Sequence, residues 1–242
     1  MIHPSRTVPD SADAPEEPPR TLVEDAYRRV REDIVQGKYP PGSRLRVEHL
    51  KDAYGVGAGT LREALSLLVA DALVVTEGQR GFSVAPISLE DLEDLTRTRI
   101  LLEGEALRLS IKHGGDEWEA GVVAAYHRLA LLEEKGRTTA RSAEFETSNR
   151  RFHEALIASA GSRWLFSLID LLYRQSERYR RFVLSSNPTR RDVHAEHTEL
   201  YQAAMDRDQR RAAASLAKHV QATCDAVRVK LNANGHGVSP AP

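Results

Sequence analysis

Apolar residues recur every fourth position at Leu22, Ala26, Val30 and Ile34, with Val23, Tyr27 and Val35 beside them. This spacing predicts one helix with a single buried stripe. Gly37 ends it, and Tyr39-Pro40-Pro41-Gly42 forbids helix. Leu45, Val47 and Leu50 restart the pattern in a short second helix that reaches Tyr54, and a turn is expected over Gly55-Val56-Gly57-Ala58-Gly59. A third helix places Leu61, Ala64, Leu65, Leu68 and Val69 on one face, with Thr60 and Glu63 at the spacing of a capping box. Leu73-Val74-Val75 and Phe82-Ser83-Val84 are short β-prone runs joined through a polar tip from Thr76 to Gly81, the outline of a hairpin. From Ser88 onward no convincing strand pattern appears. Roughly five or six helical patterns follow, broken near Gly114-Gly115, Gly136, Gly161, Asn187-Pro188 and Asp206. Leu92, Leu95, Arg99, Leu102 and Ala106 lie near one face of the first.

The expected fold is therefore mainly α. A winged helix-turn-helix unit spans 21–86, and an all-α antiparallel helical bundle spans 88–231. The proline-punctuated, acidic opening (1–20) and the Gly/Pro-containing end (232–242) are expected to be disordered tails. With 242 residues, 41% of them hydrophobic, the chain is long enough for two modest domains. No apolar run approaches the roughly 18 to 20 residues of a membrane span, and no signal peptide is expected. Cys224 is the only cysteine, which excludes a disulfide framework or a cysteine-based zinc finger within one chain and fits a reducing cytoplasm. The formal net charge of -1 carries no global sign of nucleic-acid binding, so DNA contact must come from a local patch. Between Arg28 and Arg62 there are eight Lys or Arg residues against four acids. Gly55, Gly57 and Gly59 are a poor nucleotide loop, since no Gly-Lys-Ser/Thr follows and a helix, not a strand, precedes them.

The chemistry-bearing residues of the second half are histidines and arginines. His153 lies four residues after Asn149 on one helix face, and His197 and His219 sit near the middle of two later helices beside Leu200, Tyr201, Leu216 and Val220. A lone histidine in such a place is most often a hydrogen-bonded core residue. Three facing one interior would each need a donor and an acceptor satisfied, which a divalent metal could do for all of them. Spacing alone leaves both readings open. Arg174, Arg178 and Arg181 recur at helical spacing. One turned inward, assigned here to Arg178, could fork onto a carboxylate, while the rest read as a solvated face.

Tyr39-Pro40-Pro41-Gly42-Ser43-Arg44-Leu45, Tyr54-Gly55-Val56, Leu61-Arg62-Glu63-Ala64-Leu65 and Gln79-Arg80-Gly81-Phe82-Ser83-Val84 resemble the DNA-binding signature of GntR-type bacterial transcription regulators. The resemblance implies base contacts from the entrance of the third helix and a wing tip near the minor groove. The residues it assigns to double-stranded DNA are Thr60, Arg62, Gln79, Arg80 and Gly81, with Arg46 as the secondary candidate. Gly57-Ala58-Gly59 stands where many members have Ser-Arg-Thr, which removes side chains that often touch phosphate or base. An ion pair of Arg62 with an acid such as Asp71 is the competing structural role.

Asn149-Arg150-Arg151-Phe152-His153, together with His197 and His219, resembles the metal motif of the FCD ligand-binding domain in the FadR subgroup, and Arg99-Ile100-Leu101-Leu102-Glu103 its opening helix. That resemblance implies a divalent metal, zinc with nickel or manganese as alternatives, held by Asn149, His153, His197 and His219. The family often has Asp in place of Asn149, so this amide is either a weaker ligand or an outer partner. It further implies a small carboxylic acid effector contacted by Arg99, with Arg178 as the second candidate, and a cytoplasmic homodimer acting as a repressor. Gly59-Thr60-Leu61-Arg62-Glu63-Ala64-Leu65-Ser66 and Gly114-Gly115-Asp116-Glu117-Trp118-Glu119-Ala120 look most like the carbon-starvation-induced regulators that respond to the dicarboxylate glutarate. Three imidazoles with open positions could also activate water, making a metal-dependent hydrolase the alternative function. Against it, Glu154 and Glu196 adjoin the histidines in sequence but are expected on other faces, and no other local carboxylate offers a base.

Overall fold

The computed structural model describes residues 21–76, 78, 81–134, 143–184 and 191–233. The first helix, α1 (Leu22–Val35), is started by a capping box: the Glu24 amide donates to Thr21 Oγ1 (3.1 Å) and the Thr21 amide donates to Glu24 Oε2 (2.9 Å). Its stripe of Ala26, Val30 and Ile34 is buried, and Val30 and Ile34 share a core with side chains of α2 (Val47–Tyr54) and α3 (Ala58–Ala70).

The turn between α2 and α3 is tighter than the glycine run predicts. Gly55 caps α2 in the left-handed region (φ 67), and Gly57 is already the N-cap of α3. The Leu61 amide closes the first helical bond onto the Gly57 carbonyl (3.0 Å), which makes Ala58 and Gly59 helical. Thr60 therefore lies inside the first turn and makes no capping box with Glu63, because two small helical residues precede it.

Three strands complete this unit. Besides β2 (Val74–Thr76) and β3 (Phe82–Val84), the pair Arg44–Leu45 forms β1, giving an antiparallel sheet in the order β1-β3-β2 with Leu45 opposite Phe82 and Val74 opposite Val84. A two-residue strand has no periodicity to read. Gly81 enters β3 at φ 103, a conformation L side chains resist. Leu45, Leu50, Tyr54, Leu61, Leu65, Leu68, Leu73 and Val84 join the α1 stripe in one core.

The remaining elements are helices: α4 (Leu89–His113), α5 (Asp116–Glu134), α6 (Ala143–Ile157), α7 (Arg163–Leu184), α8 (Val193–Met205) and α9 (Gln209–Ala233). Their main core joins Leu107, Trp118, Leu129, Phe152, Leu156, Leu200, Leu216 and Val220, and a second core joins Leu92, Leu95, Tyr179, Val227 and Leu231. Gly114 is required where α4 hands over to α5, since a Cβ there would stand 2.5 Å from the Trp118 ring. The α9 helix runs to Ala233, past the start expected for the C-terminal tail; 1–20, 234–242 and the breaks expected at Gly136 and Asn187-Pro188 lie outside the described residues. No described helix is long and apolar enough to cross a membrane.

The α7 helix joins the two cores. Glu177 pairs with Arg31 of α1 (3.1 Å), Arg181 pairs with Glu32 of α1 (3.2 Å), and Arg174 pairs with Asp71 at the end of α3 (3.2 Å). The Gln175 amide donates to the Asp71 carbonyl. Arg178 donates to the carbonyls of Ala85 (3.0 Å) and Pro86 in the connection ahead of α4. The arginine row is thus not a solvated face. Arg178 is 3% exposed and clamps that connection, so its expected effector role is replaced by a structural one.

Candidate metal centre and DNA-binding face

His153 on α6, His197 on α8 and His219 on α9 converge in the bundle interior. One ring nitrogen from each lies within 4.8 Å of the others, and all three side chains are buried. The convergence follows from placing each imidazole on the inward stripe of its helix, next to Phe152, Leu200 and Leu216 or Val220.

Carboxylates hold the far side of two rings. His197 Nδ1 is 2.6 Å from Glu133 Oε1, and His219 Nδ1 is 2.9 Å from Glu196 Oε2. An N–H on His197 Nδ1 leaves its Nε2 as a lone-pair donor; His219 Nδ1 is shared between the nearer Glu196 carboxylate and the Arg191 guanidinium (3.2 Å), and its Nε2 is a lone-pair donor when Nδ1 donates to Glu196. His197 Nε2 is buried and has no hydrogen-bond partner among the described residues. An orphaned imidazole nitrogen beside two further imidazoles fits a divalent cation of the zinc class, whose histidine ligands usually carry a carboxylate on the other nitrogen. Burial, then the His219 and His197 rings and the Arg99 and Arg180 guanidiniums, holds His153 well below the ordinary imidazole range. Burial, then His197, Arg191, Arg99 and Arg180, does the same for His219. Protons therefore compete weakly for those lone pairs.

Asn149 is buried one turn before His153, and its Nδ2 donates to the Tyr173 hydroxyl (2.8 Å), leaving the amide oxygen as the atom it could offer a metal. Burial raises the Tyr173 hydroxyl above its usual range, so it stays an O–H donor. Arg99 reaches the same region over the Tyr173 ring (5.6 Å), but its guanidinium is occupied: Nε and Nη2 donate to Glu103 (2.6 and 3.3 Å) and Nη1 donates to Ser176 (2.7 Å). A cavity of about 270 Å³ opens beside His153, lined by Glu103, Tyr173 and the apolar side chains of α4, α6, α7 and α9.

The structure thus brings Asn149, His153, His197, His219 and Arg99 into one region and leaves Arg178 outside it. Several partners escaped sequence reasoning. Glu133 precedes His197 by 64 residues, so looking only at adjacent acids could not find it. Glu196 was expected to miss the histidines, yet it pairs with His219 of the neighbouring helix, because α8 and α9 pack side by side. Tyr173 and Arg180 lie seven residues apart on one face of α7, each next to a member of the arginine row but turned away from it, and that spacing was their only signal.

At the other end, Arg62 and Arg46 are exposed and Thr60 is half-buried near the entrance of α3. No described carboxylate pairs with Arg62. The suggested partner, Asp71, instead accepts from Tyr27 and pairs with Arg174. No side chain caps α3, and a Cβ at Gly59 would meet nothing within 4 Å, so packing does not demand that glycine. Gly81 is described, whereas Gln79 and Arg80 of the expected wing tip lie outside the described residues.

Comparison with known proteins gives two family matches: "Bacterial regulatory proteins, gntR family" over residues 22–84 and "FCD domain" over residues 94–222. The chain is 48% identical over 214 residues to the HTH-type transcriptional regulator BphR of Paraburkholderia xenovorans (strain LB400), covering 86% of each. It is 37% identical over 201 residues to the HTH-type transcriptional repressor GlaR of Escherichia coli (strain K12), covering 81% of this chain and 91% of that protein. The E. coli McbR/YncC structure superposes with a TM-score of 0.70 at 21% identity, over 86% of this chain and 97% of that one, a likeness of fold.

Proposed function

The chain belongs to the gntR family of bacterial regulatory proteins and carries an FCD domain, so it is a DNA-binding transcription regulator and not an enzyme, and we propose that a small carboxylate beside a divalent metal controls its grip on an operator. The observation that carries this reading is the buried histidine trio with its orphaned Nε2, set against a cavity one wall of which is α7. His153, His197 and His219 would hold the metal, zinc before nickel or manganese, with Asn149 as a further oxygen ligand or an outer partner. The metal would supply a Lewis-acidic anchor for an anionic ligand. Tyr173 would donate its O–H to the acid, and Arg99 would add positive potential while remaining paired with Glu103.

The hydrolase alternative is dropped. Glu133 and Glu196 are committed to imidazole Nδ1 atoms, and Glu196 also to Arg191, while Glu154, which does line the cavity beside His153, is held by Arg150 (2.7 Å), so none of the three stands as a free base.

Coupling to DNA would run through α7. An acid filling the cavity presses on Phe166, Ile169 and Tyr173, while the adjoining face of the same helix carries Arg174, Gln175, Arg178 and Arg181 to the DNA-binding unit. A rigid helix cannot shift one face without the other. The protein would act in the cytoplasm as a repressor. Units 21–86 of a homodimer would occupy the half-sites of a short palindrome, with 88–231 dimerising and sensing.

Arg62, Thr60, Gly81, Gln79, Arg80 and, secondarily, Arg46 would contact DNA, with the uncapped N-terminus of α3 offering its first amides to phosphate. Arg62→Ala is expected to weaken binding to DNA upstream of the protein's own gene about tenfold, with fold and metal content unchanged. A mobility-shift assay reads this, and equal affinity would remove Arg62 from the interface. The same assay repeated with chelator and with carboxylic acids tests the sensor reading.

A further inference from the structure

The cavity beside His153 is built from two chemically different parts. Leu107, Leu156, Ile157, Phe166, Ile169 and Leu216 make most of its wall. The charged lining residues besides His153 are Glu103, Arg150, Glu154 and Asp170, three acids against one arginine. None of these charges is idle. Glu103 accepts two bonds from Arg99, and Arg150 donates to Glu154 (2.7 Å) and to Asp170, which also holds Arg174.

We infer that the acid taken by this cavity carries one carboxylate, directed at the histidine cluster, and an uncharged apolar body, so that aromatic or medium-chain aliphatic monocarboxylates are preferred to short dicarboxylates such as glutarate. This rests on the reading of the helical domain as a carboxylate sensor. A second carboxylate at the far end of the ligand would have two surroundings available. Against the leucine and isoleucine wall it would lose its water with nothing to replace it. Against the charged part of the lining it would meet Glu154, Asp170 and the buried Glu103, whose charge Arg99 already holds, and it could recruit Arg150 only by breaking that residue's ion pairs with Glu154 and Asp170. An apolar body meets neither obstacle and removes hydrocarbon from water on both sides. The volume of about 270 Å³ lies near the lower end of small-molecule pockets, roughly 300 Å³, and so suits a compact body.

Benzoate and glutarate have the same number of non-hydrogen atoms, so together they separate charge from size. Titrated into the zinc-loaded full-length protein by calorimetry, benzoate or octanoate is expected to bind tighter than glutarate by on the order of tenfold or more. Ile169→Phe, which fills the apolar wall, is expected to weaken the monocarboxylate by a similar factor at unchanged zinc content. Should that variant fold poorly, the comparison of the three acids on the wild-type protein decides by itself. Glutarate binding as tightly as either monocarboxylate overturns the inference. So does the absence of heat from both monocarboxylates in a protein that still shifts its operator, an outcome that leaves the regulator reading standing. Failure of the wild-type protein to shift any DNA strikes that reading instead, and is scored separately from the calorimetry.

Discussion

His197→Ala is expected to lower the affinity of the bundle for zinc by on the order of a hundredfold or more, about 2.7 kcal/mol. His197 is 0% exposed, its Nδ1 is fixed by Glu133, and its Nε2 has no other described partner. Removing it takes away one of three imidazoles and leaves Glu133 holding only His194, which is partly exposed. Glu133→Gln should cost less, about tenfold, because the amide oxygen can still accept from Nδ1 while the charge that strengthens the imidazole is lost. The readout is competitive zinc titration together with thermal unfolding. At a zinc concentration about 100 times the wild-type dissociation constant the wild-type protein should gain about 2.7 kcal/mol of stability, and the His197 variant about 0.4 kcal/mol or less. A His197→Ala protein that keeps one tightly bound zinc would sink the assignment.

Arg174→Met is expected to disconnect the cavity from DNA without emptying either. Arg174 stands between Asp170, which lines the cavity, and Asp71, the residue that ends α3. Asp71 also accepts from the Tyr27 hydroxyl, which burial and then this bond push up to about 12, so α1 and α3 meet α7 at one carboxylate. With Arg174 removed, Asp71 keeps Tyr27 and Asp170 keeps Arg150, and the two partly exposed pairs lost, with Asp71 and with Asp170, are worth about 1 kcal/mol or less of stability each. Couplings between ligand sites are typically about 5- to 150-fold in affinity. The ratio of operator affinities with and without the bound acid should collapse toward unity in the variant, while acid binding and ligand-free operator binding stay near wild-type. An unchanged ratio, measured by mobility shift on matched samples, would move the coupling elsewhere.

The difference between what was readable along the chain and what was not follows from the range of each interaction. The stripe Leu22, Ala26, Val30, Ile34 and the runs ending at Gly81 and Val84 are local patterns, and they return as α1 and the β2-β3 hairpin. The letters of a capping box are present at Thr60 and Glu63, but the box forms at Thr21 and Glu24. Only the turn geometry at Gly55 and Gly57 decides which residue is the N-cap. Strand β1 escaped because its pairing with β3 joins residues 37 and 39 positions apart.

The histidines mark the same divide at the site. Their positions on inward helix stripes were legible, since a 3.6-residue period places a side chain on a face. Whether three such faces meet depends on how α6, α8 and α9 pack, which no local pattern contains. Arg178 shows the opposite error, a residue of the right type at helical spacing whose face turns to the carbonyls of Ala85 and Pro86.

By itself, then, the sequence determined two units, a winged helix-turn-helix and a helical bundle, and the identities of the histidines that could share a cation, because periodicity and turn residues act over a few positions. Tertiary structure alone decided the partners: Glu133 on His197, Glu196 on His219, Asp71 on Arg174, and an apolar cavity with no unpaired arginine in its lining. Those pairings join residues 23 to 103 positions apart, and a charge finds its counter-charge only when packing has brought two distant helices within hydrogen-bond distance.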